Sequence, residues 1–560
     1  MSARASALAA ARRVGRTVDL LLERPRWVLG TLVALQIALT LVLALSVEHN
    51  DWVWFQGGDQ IWMTTTGWLL GQQELPPTEI ADLWPAVQAP ITWATGPTYV
   101  QALPPLVLGQ VLVLGPIALL CLYGIAARIG GRLLGYWASL LWVVAPFAAI
   151  PLFVDRYHER WIEQFVPQAL GLTAMSDFPS MVVVLAGALF VVRSLSAGRM
   201  TDAVLAGVLI GAAAALKPPN LLVAVGAALA YVVARRWREG LACGAAILPA
   251  LLVLLFWKVR GLGELPVLAI EQTRLAAGGG PLALDLNLDR YFDLDFEHWR
   301  KQMDQLREFF WSARIAQWTP FAGLVAMLSV RRGAIAALLG GWLAAFIVVK
   351  GFSPRADIQA NTFWRLLMPA WPAYLLLFAS IPLLVPTLAR RLGDRVKPVT
   401  AGAVQTRWIV VAATATVAMP ALAIAISSPL GLTQQRTVIQ DFEGGNILTP
   451  IAAAVELAVA TDGPTRRLTW TSGGSWRADV FYRIYRHDGP AADTTCLPSG
   501  GSAWYCRLDS EPIATTRELT FVDESAPPTA TYRIGVGTNW ADDPAFGDVF
   551  AFSLPVAASG

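Results

Sequence analysis

Ala206–Leu222 reads AGVLIGAAAALKPPNLL, an apolar run interrupted by one cation and two prolines and then resumed. The apolar segments on either side, 201–217 and 220–234, are each only about fifteen residues long by this reading, and fifteen helical residues rise roughly 23 Å. The hydrocarbon layer of a bilayer is roughly 30 Å thick. The stretch therefore predicts two short membrane helices joined by a turn recessed beneath the interface. Lys217 sits in that turn. A recessed ammonium is costly unless it is paired or snorkels to water along its stem, and the sequence leaves both open.

The same pattern extends outward over most of the chain. Of 560 residues, 55% are hydrophobic and 15% charged, with a mean hydropathy of +0.50. Soluble domains carry about 25% charged residues, so the apolar surface calls for a bilayer. Eleven apolar runs fall near 26–47, 103–127, 133–153, 178–195, 201–217, 220–234, 240–259, 314–330, 333–350, 364–386 and 408–428. Alternate threading gathers Arg12 and Arg13, Arg128 and Arg132, Arg193 and Arg199, Arg235, Arg236 and Arg238, Arg331 and Arg332, and Arg390, Arg391 and Arg395 on one side. Positive charge marks the cytoplasmic side.

The predicted fold class is a polytopic α-helical membrane protein of about eleven transmembrane helices with a C-terminal extracytoplasmic all-β sandwich. Residues 1–25 form a basic cytoplasmic N-terminus, without the small-residue cleavage pattern of a signal peptide. Residues 26–428 form the membrane domain, with outer loops 48–102, 154–177, 260–313 and 351–363. A connector follows over 429–464, with a short helix at Ile451–Ala460. The outer face is then extracytoplasmic, in the plasma membrane of a cell whose 38 arginines against five lysines suggest a GC-rich bacterial genome. A net charge of +3 gives no reason to expect a nucleic-acid partner.

Cys121 and Cys243 fall inside spans, whereas Cys496 and Cys506 lie close together in the polar tail, where a disulfide suits an oxidising compartment. No zinc-ligand spacing occurs. Gly278–Gly280 lacks the Lys-Ser/Thr of a phosphate-cradling loop.

The outer loops hold the candidate chemistry. The first has no Lys or Arg, yet it carries Glu48, Asp51, Asp59, Glu74, Glu79 and Asp82 among several tryptophans. Acids without counter-charge point to a general base or a cation site; the alternative is an aromatic interfacial belt with solvated carboxylates. The second loop carries DRYHERWIEQ, with Arg156, His158, Glu159 and Arg160, which also reads as a surface ion-pair cluster. MSDFPS follows, and its Asp177 is either a cap for the fourth span or a site acid. Arg365 opens the tenth span on the side where cations are disfavoured and calls for an anionic partner. In EHWRKQMDQLREFF, Phe296, Trp299, Met303, Leu306 and Phe310 form the stripe of an interfacial helix.

In this order the features resemble the GT-C superfamily of integral-membrane glycosyltransferases, including protein mannosyltransferase-like and aminoarabinose transferase-like enzymes. DQIWMTTTGWLLG is similar to the family's first-loop helix, and LWPAVQAPITWATG to the Pro-bearing stretch after it. SDFPSMVVVLAGALFVVRSL resembles the Thr-Asp-x-Pro opening of the fourth span, AGVLIGAAAALKPPNLL the Gly-rich span ending in Thr-Lys, and WRLLMPAWPAYLLL the Arg-Tyr-Leu-Leu-Pro segment. The chain departs from that pattern at Gln60, where many members carry Glu, and at Leu216 and Leu366. With Asp59-Gln60, a divalent metal cofactor is possible but not indicated.

The resemblance implies a polyprenyl-phosphate-linked sugar as donor, a cell-envelope glycan, lipid or protein as acceptor, and transfer with inversion at the outer face. It implies Asp59 as general base and Asp177 as a second acid. Lys217 and Arg365 would neutralise the lipid phosphate, with Arg156 and Arg160 as looser candidates for the same anion. His158, Glu159 and Asp51 would contact acceptor or sugar. Two rivals remain, a transporter or flippase of lipid-linked glycans and a non-catalytic scaffold displaying the tail. A transporter would place its ionisable groups near the midplane, whereas here they sit at span ends.

Past residue 429 the long apolar runs stop. Alternating stretches such as RRLTWTSGG, VFYRIYRHDG, LTFVDESAPP and TYRIGVGTNW, punctuated by turn residues, predict a sandwich over 465–560. Their order resembles a fibronectin type III-like domain. Trp470 and the strand tyrosines read as core, and Trp504, Tyr505 and Trp540 as candidates for glycan stacking.

Overall fold

The computed structural model describes residues 23–46, 58–73, 75, 80–95, 99–148, 166–262, 270–271, 285–286, 294–309, 317–353, 367–385, 441–442, 445–447, 455–463, 465–472, 480–489, 496–498, 504–508, 512–538 and 548–558. The helices in chain order are α1 (Pro25–Ser46), α2 (Gly58–Gly71), α3 (Leu83–Thr95), α4 (Tyr99–Gly109), α5 (Gly115–Gly130), α6 (Arg132–Ala148), α7 (Val166–Ala169), α8 (Asp177–Ala197) and α9 (Met200–Leu216). They continue with α10 (Val223–Val233), α11 (Trp237–Leu262), α12 (Phe296–Phe309), α13 (Thr319–Ser329), α14 (Gly333–Gly351) and α15 (Trp371–Ser380). Among the described residues, five helical stretches are long and apolar enough to cross a membrane: Pro25–Ala44, Ala102–Gly130, Asp177–Ala197, Trp237–Val259 and Gly333–Gly351. Shorter apolar helices occupy Arg132–Phe147, Met200–Leu216, Pro218–Val233, Thr319–Ser329 and Met368–Leu383. The chain is thus a mostly helical, multi-pass membrane protein. The predicted span 408–428 lies outside the described residues.

α4 and α5 form one continuous rod, joined by a π-helical turn at Gln110–Leu114. Such a turn inserts one extra residue into the helix. α9 is tightly packed because its glycines remove bulk from one face. A Cβ at Gly207 would overlap the Cys243 carbonyl of α11, and one at Gly211 would stand 2.9 Å from the Ala250 Cβ. Small residues four apart let two backbones approach in lipid, where close contact is the main source of helix association. The break after Leu216 is sharp. Lys217 is extended (φ −154°, ψ 107°), and Pro218–Leu222 form a 3-10 turn that leads into α10.

Several arginines predicted on the cytoplasmic side do meet at one end of the bundle. Arg332 Nε donates to the Ile129 carbonyl (3.2 Å), and Arg236 lies against Gly198. Arg193 pairs with Asp202 (3.1 Å) at the same end.

The tail forms two facing sheets. Strands β5 (Val455–Asp462), β6 (Thr465–Ser472) and β11 (Thr520–Asp523) pair in the order β11-β6-β5. Opposite them, β7 (Val480–Asp488), β10 (Ala514–Thr516), β12 (Ala530–Thr538) and β13 (Asp548–Phe552) pair as β10-β7-β12-β13, with β14 (Val556–Ala557) also on β12. Leu468, Trp470, Tyr482, Ile484, Tyr532 and Ile534 fill the space between, so the alternating residues are core, as the period predicts. A smaller sheet holds β3 (Asp441–Phe442), β4 (Gly445–Ile447), β8 (Cys496–Pro498) and β9 (Trp504–Leu508), and β1 (Ile270–Glu271) pairs with β2 (Asp285–Leu286). One expectation fails here. The helix expected at Ile451–Ala460 is replaced from Val455 onward by strand β5, which pairs with β6 along its whole length, so the sandwich begins before residue 465. Cross-strand pairing overrides the helical leaning of an alanine-rich segment.

Candidate functional site

The candidate site is built on a buried turn. Residues 166–182 are almost wholly inaccessible, and they run from the single turn of α7 into the first residues of α8. Gly171 makes the reversal possible: its φ is +74°, and a Cβ there would press on the Phe178 ring at 3.0 Å and the Gln110 side chain at 3.1 Å.

Side chains from three other segments clasp the exit of this turn. Gln60 Oε1, in the first turn of α2, accepts from the Ala174 N–H at 2.6 Å. Trp84 Nε1 of α3 donates to the Ala174 carbonyl at 2.7 Å, and Gln88 Nε2 donates to the same oxygen at 3.3 Å. Gln110, aimed by the π-helical turn, donates from Nε2 to the Thr173 carbonyl at 2.6 Å. Buried backbone polar groups must find partners, and here glutamines and a tryptophan supply them. Sequence reasoning passed over Gln88 and Gln110, took Trp84 only as one of the loop tryptophans, and noted Gln60 only as a departure from the family motif. The one signal available was Gln110, an amide in the middle of an apolar run.

Asp177 follows three residues after Ala174, at the start of α8. It does not cap its helix: Ser176 takes the N-cap position, and no side chain makes the capping bond. The Asp177 carboxylate, fully buried, instead accepts from Lys217 Nζ through Oδ1. The positive end of the α8 dipole adds to its stabilisation. The Lys217 side chain is only 12% exposed, so its ammonium is held by a carboxylate and does not snorkel to water. The extended break between α9 and the 3-10 turn is what aims it inward.

Asp59 is the second residue of α2, and the structure describes its backbone. Through its neighbour Gln60 this end of α2 is fastened to the turn that carries Asp177. The segment just after Arg365 also reaches α8, since the 3-10 turn Met368–Ala370 packs against it. Arg365 itself, Arg156, Arg160, Asp51, His158 and Glu159 lie outside the described residues.

Asp82, read from the sequence as one of a set of acids without a basic partner, faces a counter-charge in Lys258 of α11. Burial pushes its carboxyl above the ordinary value, and its backbone hydrogen bonds and the Lys258 ammonium offset part of that rise. Trp257 Nε1 donates to the Ile80 carbonyl (2.8 Å), tying the end of α11 to the same corner. Cys496 stands opposite Cys506 in the antiparallel β8–β9 ladder, and β9 packs against α2.

The predicted interfacial helix is α12. Met303 and Leu306 are buried while Phe296 is exposed, and the indole of Trp299 stacks on Phe352 (5.7 Å between centroids). His298 Nε2 lies 3.2 Å from the Ser353 carbonyl. The helix thus lies across the end of α14.

No family model and no curated protein sequence matches the chain. Among solved structures it is similar to ArnT from Cupriavidus metallidurans bound to undecaprenyl phosphate, at 17% identity and TM-score 0.42, over 71% of this chain and 72% of that one. It is similar to the archaeal oligosaccharyltransferase AglB from Archaeoglobus fulgidus in complex with an inhibitory peptide and a dolichol-phosphate, at 11% identity and TM-score 0.42, over 72% of this chain and 56% of that one. It is also similar to the arabinosyltransferase EmbB from Mycobacterium smegmatis, at 14% identity and TM-score 0.38, over 98% of this chain and 67% of that one. These three likenesses lie at 11 to 17% identity and at TM-scores of 0.38 to 0.42.

Proposed function

We propose that the chain is a membrane glycosyltransferase that moves a sugar from a polyprenyl-phosphate-linked donor to a cell-envelope acceptor at the extracytoplasmic face. The observation that carries this reading is the clasp between Gln60 and Ala174, which fastens the Asp59 end of α2 to the turn whose Asp177 holds Lys217. An acid-bearing helix, a second acid and a recessed cation thereby share one end of the bundle, opposite the arginine-rich end.

In this reading the Asp59 carboxylate takes the proton of an acceptor hydroxyl as its oxygen bonds to the anomeric carbon. The bond from that carbon to the phosphate oxygen breaks on the opposite face with its electron pair, releasing the polyprenyl phosphate and inverting the centre. Charge grows on the phosphate as the bond breaks, and preorganised cations there lower the barrier most. Lys217 and Arg365 serve that role. Asp177 orients Lys217. Arg156 and Arg160 are further candidates for the anion, and Asp51, His158 and Glu159 for the acceptor.

By the same reading the arginine-rich end and the N-terminus are cytoplasmic, and the tail is extracytoplasmic. The strand orders β11-β6-β5 and β10-β7-β12-β13 support a fibronectin type III-like sandwich. The facing of Cys496 and Cys506 supports a disulfide between them.

The test is deletion of the gene, followed by profiling of envelope glycans and of accumulated polyprenyl-phosphate sugars, with Asp59→Asn as the complementation control. The expected result is build-up of one donor, reversed by the parent gene and not by Asp59→Asn, although the variant inserts and folds. Full complementation by Asp59→Asn, with no donor build-up in the deletion, would favour a non-catalytic scaffold.

A further inference from the structure

Asp177 and Lys217 cancel each other's charge, so their pair alone gives a phosphate dianion little net attraction. A further cation stands nearby. Lys350, one residue from the end of α14, is half-buried, and α14 packs against the 3-10 turn that begins directly after Lys217. Among the described residues no carboxylate forms an ion pair with it. A cation retained at the end of a membrane span without an acid beside it is a site by default.

Below Lys350 the same flank of α14 opens onto an apolar cavity of about 620 Å³, a size usual for small-molecule sites. Leu343 and Ile347, seven and three residues earlier, line it on α14; Phe321 and Leu324 line it on α13, and Trp299 and Met303 on α12. Residues seven apart fall within about 20° of the same helical stripe, so the stripe runs from apolar wall to ammonium over roughly 10 Å. The Trp299 indole roofs the end of α14, where a Cβ on Gly351 would come within 2.6 Å of it. The polar side chains at the cavity are Arg300, Asp304 and Gln317, and Arg300 and Asp304 face each other at 3.9 Å.

An apolar trough ending at a cation that no carboxylate among the described residues pairs with suits a phosphate monoester on a long hydrocarbon chain. Resting on the donor reading above, we propose that Lys350 is a second phosphate-binding cation beside Lys217 and that the cavity between α12, α13 and α14 holds the first isoprene units of the same lipid. Lys350 supplies the net positive charge that the Asp177–Lys217 pair lacks, and the mostly apolar lining favours a hydrocarbon chain over a free sugar phosphate.

The experiment is titration of undecaprenyl monophosphate into the full-length protein in nanodiscs. Lys350→Met is expected to weaken binding by about tenfold or more, the size of losing one charge-assisted contact, while Lys350→Arg stays close to the parent. Leu343→Trp, which fills the trough without touching a charge, is expected to weaken binding to a similar degree with an unchanged melting temperature. Inorganic phosphate in large excess should not displace the lipid. Parent-like binding by Lys350→Met overturns the assignment of that residue. Displacement by inorganic phosphate, parent-like binding by Leu343→Trp, or equally tight Lys350-dependent binding of phosphatidylglycerol overturns the lipid-chain assignment. A parent protein that binds no undecaprenyl monophosphate overturns the donor reading itself, so the two failures are distinguishable.

Discussion

Gln60 and Ala174 are 114 residues apart, and the side-chain oxygen of the first accepts the backbone N–H of the second at 2.6 Å in a fully buried contact. That bond couples the helix bearing Asp59 to the turn bearing Asp177. Gln60→Ala leaves the Ala174 N–H buried without its partner, a loss of about 1–3 kcal/mol. The expected outcome is a lower melting temperature in detergent together with reduced turnover. A Gln60→Ala protein with parent stability and parent turnover would show that the clasp does not position the site.

The Asp177–Lys217 pair predicts strong coupling. Removing one partner of a buried ion pair strands the other charge and costs about 3–5 kcal/mol. Asp177→Asn and Lys217→Met should each be strongly destabilising, whereas the double variant should lose much less than the sum. Thermal unfolding of the three variants in one detergent measures the coupling. Additive losses would mean that the two side chains act independently.

The tail has its own titrating network. Tyr532 donates to Asp523 Oδ2 (2.7 Å), and Arg486 contacts the same carboxylate (3.0 Å). Burial by itself would raise the Asp523 carboxyl, but the hydrogen bonds from Tyr532, Arg486 and Ser525 together hold it below its ordinary value of 3.8. A depressed carboxyl lends stability that is fully present above that ordinary value and is lost as pH falls through the folded-state value. Amide exchange of strands β11 and β12 in the full-length protein should therefore accelerate in strong acid. Tyr532→Phe removes one of the lowering bonds, costs about 1 kcal/mol near neutral pH and shrinks the acid sensitivity. An acid response identical in both proteins would remove Asp523 from the account.

The sequence made some of these features visible and hid others for physical reasons. Helix positions were legible because lipid imposes long apolar runs, and Lys217 was legible because a cation interrupts one. Its pairing with Asp177 was not, since both a cap and a site acid fit the local pattern SDFPS. Gln60, Gln88 and Gln110 carried no periodic or charge signal, as their partners are backbone groups brought near only by the folded chain. Lys350 carried no signal of its own in the sequence, since nothing local distinguishes a lysine near a helix end; only the fold brings its helix to the turn after Lys217. Strand β5 was misread because VELAVA suits a helix when its cross-strand neighbours on β6 are unknown.

The π-helical turn at Gln110–Leu114 takes up one extra residue in a rod that is otherwise regular. Because the wide turn absorbs that residue, deleting one there, for instance Leu112, would restore plain α-helical winding and leave the two halves of the rod nearly in phase. The local winding that carries the Gln110 amide to the Thr173 carbonyl would be lost. The rod would thus tolerate a shortening that the buried turn beside it would not.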